Sequence, residues 1–150
     1  MLKMNEIDLS GKRVLIRVDL NVPMSNGIIE NDSRIKATIP TIKLALQSNC
    51  SIILMSHMGR PREGVFEEDF SLNLVAENLS SALRREVRFI SNWDNNFDIN
   101  NGDIVLMENV RFLKGEKNND PDLSKKMGEL CDIFVMDAFA SAHRSHASTC

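Results

Sequence analysis

Val14-Leu15-Ile16-Arg17-Val18 is the stretch that decides the fold. Apart from Arg17 it is apolar on both faces. Continuous rather than alternating hydrophobicity marks a strand covered on both sides, as in a parallel sheet. Four further runs read the same way: Ser51–Ser56 (SIILMS), Val87–Ile90 (VRFI), Ile104–Met107 (IVLM) and Ile133–Met136 (IFVM). Helical patterns lie between them. Leu72, Val75, Ala76, Leu79, Ala82 and Leu83 make one apolar stripe over three turns, with Ser71 as its expected N-cap. Ile39, Ile42, Ala45 and Leu46 make a shorter stripe, with Pro40 expected in the first turn, where proline is tolerated. A third helix is predicted over Pro121–Leu130, whereas the Asn- and Asp-rich 91–103 crossover reads as irregular. Strands alternating with helices predict βαβ units, and hence an α/β fold: a three-layer α/β/α sandwich around a parallel sheet.

The composition agrees with a single soluble domain. The chain has 150 residues, 43% of them hydrophobic and 26% charged, with a net charge of −3. That balance gives no reason to expect nucleic acid or an anionic membrane as partner. Cys50, Cys131 and Cys150 are an odd count without CxxC spacing, so they read as free thiols in a reducing cytoplasm rather than a disulfide framework. The opening MLKMNEIDLS has acidic residues and no apolar core, unlike a signal peptide, and no apolar run is long enough to span a bilayer. We expect a cytoplasmic protein.

In an open α/β sheet, ligands bind beyond the carboxyl ends of the strands, where loops and helix N-termini converge. The residues that follow each strand therefore carry the functional reading. They are Asp19-Leu20-Asn21-Val22-Pro23, His57-Met58-Gly59-Arg60-Pro61-Arg62, Glu108-Asn109-Val110-Arg111, and the run from Asp137 through His143, Arg144 and His146. Arg34, leading into the first helix, points to the same edge. An acidic protein that collects guanidinium and imidazole groups there is expected to hold a small anion, since the planar fork of arginine suits carboxylate and phosphate. The plainer alternative is a set of solvated arginines with some structural ion pairs. No GxGxxG, GxxxxGK[ST] or GxSxG motif occurs, which excludes the standard dinucleotide, P-loop and hydrolase-elbow sites, and no tight His/Cys cluster suggests a metal. Residue chemistry alone leads to an α/β anion-binding domain.

Four motifs go further. Arg17-Val18-Asp19-Leu20-Asn21-Val22-Pro23 resembles the RVDxNVP signature of phosphoglycerate kinases. Ser56-His57-Met58-Gly59-Arg60-Pro61 resembles that family's SHxGRP loop, Glu108-Asn109-Val110-Arg111-Phe112 its ENxRF, and Asp137-Ala138-Phe139 with Ala142-His143-Arg144 its DAFxxAHR. They occur in family order across essentially the whole chain. The resemblance implies phosphoryl transfer between 1,3-bisphosphoglycerate and ADP, giving 3-phosphoglycerate and ATP. It implies two α/β domains, the N-terminal one holding phosphoglycerate and the C-terminal one the magnesium nucleotide, in a monomer. It places Asp19 and Asn21 at the substrate's hydroxyl and carboxylate end. It places Arg34, His57, Arg60, Arg111 and Arg144 around its phosphate and carboxylate, with Met58 and Gly59 as the tight loop that aims His57 and Arg60. Arg34 matches the arginine nearest the transferred group, the expected catalytic residue. Arg17, on the face of Asp19 by period two, is expected to hold that carboxylate rather than touch ligand.

Family members run to roughly 400 residues, with six parallel strands in their N-terminal sheet in the order 3-4-2-1-5-6. Five such strands are expected here, the fifth being left as an uncovered edge. Residues 1–150 are thus read as an N-terminal 3-phosphoglycerate-binding domain, incomplete at its C-terminal end and without the nucleotide domain. On that reading Mg2+ with ATP or ADP binds elsewhere, this chain holds no cofactor and no metal, and the 150 residues alone are inactive. The alternative is a non-catalytic anion-binding module on the same fold.

Overall fold

A computed structural model of the chain describes residues 2–3, 8–59, 66–92, 97–110, 128–135 and 141–144, the first and last of these segments by backbone alone. Its elements in chain order are β1 (Leu2–Lys3), β2 (Arg13–Arg17), β3 (Met24–Ser25), β4 (Ile28–Ile29), α1 (Ser33–Leu46), β5 (Ser51–Met55), α2 (Asn73–Leu83), β6 (Val87–Ile90), β7 (Ile104–Met107), β8 (Ile133–Val135) and β9 (Ser141–Arg144). The five apolar runs are β2, β5, β6, β7 and β8, each within one residue of its expected bounds over the described residues.

They form one parallel sheet in the order β8-β2-β5-β7-β6. β2 lies at its centre, with Val14–Ile16 paired to Ile52–Leu54 on one side and to Ile133–Val135 on the other. Pairing on both edges and burial on both faces explain why β2, β5, β7 and β8 tolerate so few polar residues, whereas β6, at the end of the sheet, is paired on one edge and fully buried only at Val87. Alternate positions serve two cores. Val14, Ile16, Ile52, Leu54, Ile104 and Leu106 face α1 and α2 through Ile35, Ile42, Val75 and Leu79. Leu15, Ile53, Met55, Val105 and Met107 face the other way, under Phe97, Ile99, Val110 and Leu130. Each such aliphatic side chain, once buried, contributes roughly 1.5–3 kcal/mol.

Three expectations change. The strand β8 is no open edge: β9 pairs with it antiparallel, Val135 opposite Ala142 and Ile133 opposite Arg144, and β1 pairs antiparallel with β9. Two short strands therefore cover the side that the five-strand expectation left open. Pro40 is not in the first turn of its helix, because α1 begins at Ser33 and carries Pro40 in its interior. The earlier turns were masked by polar residues that are nonetheless buried. Thr38 and Thr41 line the core face, and Thr38 Oγ1 donates to the Ile35 carbonyl at 2.7 Å. The helix start is set by Asn31, whose side-chain oxygen accepts the Ser33 N–H at 2.9 Å. The N-cap of α2 is Leu72, one residue beyond Ser71, although Ser71 Oγ still accepts the Asn73 N–H at 3.4 Å.

Two readings match. The described part of the 91–103 crossover is irregular. Cys50 and Cys131 are buried free thiols, whereas Cys150 lies outside the described residues. Of the third helix, 128–130 is helical and the rest lies outside the described residues. No helix among the described residues is long and apolar enough to cross a membrane.

Candidate anion site at the carboxyl edge of the sheet

Beyond the carboxyl ends of β2, β5 and β7, three loops meet and are tied together by side chains. The loop after β2 supplies Asp19 and Asn21. Asp19 Oδ1 accepts the Asn21 N–H at 3.1 Å, a local turn that aspartate favours. Asn21 works in two directions. Its side-chain oxygen accepts the Gly59 N–H at 2.9 Å, and its backbone carbonyl accepts from the Arg34 guanidinium at 2.6 Å. Arg34 Nε also stands 3.6 Å from Asp19 Oδ2, with the two side chains 54% and 61% exposed. An ion pair so open to water contributes at most about 1 kcal/mol. Arg34 is therefore oriented by its neighbours without being consumed by them, in the first turn of α1, a place where anions are already favoured.

The loop after β5 holds His57, Met58 and Gly59. Met58 is 2% exposed, and its side chain packs into the core beneath α1 and α2. It anchors the loop from below. Gly59 has φ +62°, and a Cβ there would come within 2.4 Å of the Phe70 ring, so both the turn and the close approach require glycine. Ser56, fully buried, accepts the Leu20 N–H at 3.0 Å and donates to the His57 carbonyl at 2.9 Å.

The loop after β7 contributes two buried polar residues that the motif reading left without a role. Glu108 accepts from Ser71 Oγ at 2.7 Å and from the Leu72 N–H at 2.9 Å, so its carboxylate caps α2 from a neighbouring strand. Asn109 binds the loop that bears His57: its side-chain oxygen accepts the Met58 N–H at 3.1 Å, and its amide donates to the carbonyls of Met58 at 2.7 Å and Phe70 at 2.9 Å.

A groove of about 1130 Å³ opens beside this edge, walled by Asn21, Arg34, Met58, Gly59 and Phe70. Its outer wall is a hairpin that was not anticipated, β3 and β4 joined by Asn26 and Gly27 at φ 51° and 75°. The Asn-Gly pair is the usual signal of such a turn, but the flanking strands are two residues each, too short to show periodicity. The Glu30 N–H donates to the Pro23 carbonyl at 2.9 Å and closes the base of the hairpin.

Of the expected site residues, the structure brings Asp19, Asn21, Arg34, His57, Met58 and Gly59 to one edge. Arg60 and Arg111 lie outside the described residues, as do Asp137 and His146. His143 and Arg144 are described by backbone alone, and their setting differs from the expected loop. They lie in β9, with Arg144 opposite Ile133, two positions back from the carboxyl end of β8. The described residues contain no group of three His, Cys, Asp or Glu side chains able to hold a metal ion.

Comparison with known proteins follows the same lines. The family model described as phosphoglycerate kinase matches residues 4–150. Phosphoglycerate kinases of Legionella pneumophila strains Corby and Paris are 54% and 53% identical over 149 residues, which is 99% of this chain and 38% of each relative. The solved phosphoglycerate kinase of Coxiella burnetii superposes with a TM-score of 0.88 at 52% identity, over 99% of this chain and 38% of that one. The enzyme from Pyrococcus horikoshii OT3 superposes with a TM-score of 0.80 at 31% identity, again over 99% of this chain and 39% of its own. The chain thus spans somewhat under two fifths of the length of these relatives.

Proposed function

Because the chain belongs to the phosphoglycerate kinase family, we propose that its residues form the N-terminal, phosphoglycerate-holding part of such an enzyme. The reaction is transfer of the phosphoryl group of 1,3-bisphosphoglycerate to ADP, giving 3-phosphoglycerate and ATP. The observation that carries this reading is Arg34, held half-exposed between Asp19 and the Asn21 carbonyl at the mouth of the groove. Phosphoryl transfer asks little covalent chemistry of a protein. It asks for in-line placement and for neutralisation of charge on the moving group. An arginine fixed at its base with its guanidinium still in water suits that task, and in such roles arginine can be worth on the order of 10³–10⁵ in rate.

The other residues hold the rest of the substrate. Asp19, as a carboxylate, accepts from the substrate hydroxyl. Asn21 offers its amide N–H groups, since its side-chain oxygen is already engaged by Gly59. His57 faces the phosphate or carboxylate, and Arg60, Arg111 and Arg144 join it on the strength of their motifs. Met58 and Gly59 act through backbone geometry. Among the described residues no three His, Cys, Asp or Glu side chains gather as a protein-built metal cage would need. Nucleotide and magnesium belong to a second domain beyond these residues, in agreement with the lack of any nucleotide motif here. The 150 residues alone then bind substrate without turning it over.

Calorimetric titration of the chain with 3-phosphoglycerate tests the proposal, with wild type compared to Arg34→Ala and Arg60→Ala. Each lost charge-assisted bond should cost about 1.5–3 kcal/mol, a weakening of roughly 10- to 150-fold. If neither substitution weakens binding, the site lies elsewhere. A coupled turnover assay on the same 150 residues should stay at background.

A further inference from the structure

We propose that Asn109 is a positioning residue for the anion site, acting through the backbone of His57–Gly59. The inference rests on the phosphoglycerate reading above and extends it to a residue that cannot itself meet the ligand, because Asn109 is fully buried, with 0% exposure.

The parallel pairing of β5 with β7 stops at Leu54 and Leu106. One further backbone bond, from the Val110 N–H to the Ser56 carbonyl, carries the contact two residues on. Past that point no strand neighbour remains for Met58 among the described residues, yet Met58 is buried and its peptide groups need partners. The Asn109 carboxamide supplies both. Its oxygen takes the Met58 N–H at 3.1 Å and its nitrogen gives to the Met58 carbonyl at 2.7 Å, so one side chain does what a neighbouring strand would do. A second bond from the same nitrogen, to the Phe70 carbonyl at 2.9 Å, ties the loop to the residue whose ring leaves no room for a Cβ at Gly59. The chain is thus held in register through Met58, and turns only at Gly59, with φ +62°. His57 and Arg60 flank this clamped pair in sequence. A side chain that fixes Met58 from both sides fixes the direction in which His57 leaves the sheet. Replacing the amide by a carboxylate keeps shape and acceptor but removes both donors and sets a negative charge against two carbonyl oxygens.

The test uses the full-length protein that carries these residues. Three variants are compared: Asn109→Asp, Asn109→Ser (whose hydroxyl is too short to reach both Met58 groups) and Ser80→Ala. Ser80 serves as control because it holds the Val87 N–H at 2.9 Å at the far end of β6, remote from the three loops. Buffer temperature is set so that all variants are more than nine-tenths folded by circular dichroism. The expected result is a rise of roughly tenfold or more in the KM for 3-phosphoglycerate in an Asn109 variant, with the nucleotide KM within about twofold of wild type and both constants nearly unchanged in Ser80→Ala. The His57 ring resonances of the ligand-free protein should also shift in the Asn109 variants and not in Ser80→Ala. Unchanged phosphoglycerate KM in the folded Asn109 variants overturns the proposal, as does an equal loss in Ser80→Ala. If wild type shows no affinity for phosphoglycerate, the functional reading fails by itself, and the His57 resonances then decide: unmoved by either Asn109 substitution, they overturn the positioning role.

Discussion

The two edges of the parallel sheet are built by different means. At the amino edge, most ties between neighbouring segments run from backbone to backbone: the Gly11 N–H bonds to the Asn49 carbonyl, Ser51 to Lys12, Gly102 to Cys50 and Asp132 to Arg13, at 2.7–3.1 Å. The side-chain bonds beside them, from Asp132 and Ser51, double ties the backbone already makes. At the carboxyl edge, side chains hold the backbone, with the buried Ser56, Asn109 and Glu108 and the half-buried Asn21 each reaching into a neighbouring loop. A backbone tie needs only the right chain path. A side-chain tie needs a particular residue, and in return it frees the path to bend outward into a site. The amino edge is therefore expected to carry stability and the carboxyl edge ligand geometry.

The largest expected effect would break the contrast if it fell in the wrong place. Ile53, fully buried in β5 between β2 and β7, belongs to neither edge. Ile53→Ala should cost about 2–5 kcal/mol in chemical denaturation, with phosphoglycerate affinity of the folded protein unchanged. A selective loss of affinity would mean that the sheet centre, not its edge, shapes the site.

Gly59→Ala comes next and should act on both quantities. The left-handed backbone and the 2.4 Å approach to Phe70 together predict a cost of about 2–4 kcal/mol. Since the clash is with a side chain, pairing it with Phe70→Ala should recover part of that loss in a double-mutant cycle. Purely additive costs would show that backbone strain alone is at stake. At the opposite edge, Asp132→Ala removes the carboxylate that accepts the Arg13 N–H at 2.9 Å. It should cost only about 0.5–1.5 kcal/mol, leaving ligand titration unaltered.

The sequence made the amino-to-carboxyl strands legible because burial on both faces leaves no room for polar residues, as in Ile52–Met55. It was less informative wherever polar residues do buried work. Thr38 and Thr41 hid the first half of α1, since an apolar stripe counts neither. Ser141–Arg144 has no strand composition at all, and its pairing with β8 and β1 depends on partners distant in the chain. At the site, Asp19, Asn21 and His57 could be picked out as candidates because they are polar and follow strands, and Arg34 because it opens α1 at the same edge. Asn109 follows a strand too, but a clamp and a ligand are the same residue type in sequence. Only its burial and its bonds to Met58 tell them apart.

Cys50 gives the smallest and most selective probe of the amino edge. It is fully buried beside β5, and burial pushes its thiol above the ordinary range of about 8.5, partly offset by hydrogen bonding. Its Sγ–H donates to the Ala45 carbonyl at 3.3 Å, a bond that the thiolate would lose. The sign follows from proton counting. Between the unfolded and the folded pKa, the native state keeps a proton that the unfolded state has released, so stability falls as pH rises through that window and is unaffected below it. Urea midpoints for wild type and Cys50→Ala should therefore run parallel from neutral pH up to about pH 8 and converge above it. Phosphoglycerate affinity should be indifferent to the substitution at every pH, because Cys50 lies beyond the amino end of β5 while the ligand loop leaves its carboxyl end. Midpoints that stay parallel into the alkaline range would show that the thiol ionises as readily in the fold as out of it, and that this edge is wetter than its burial implies.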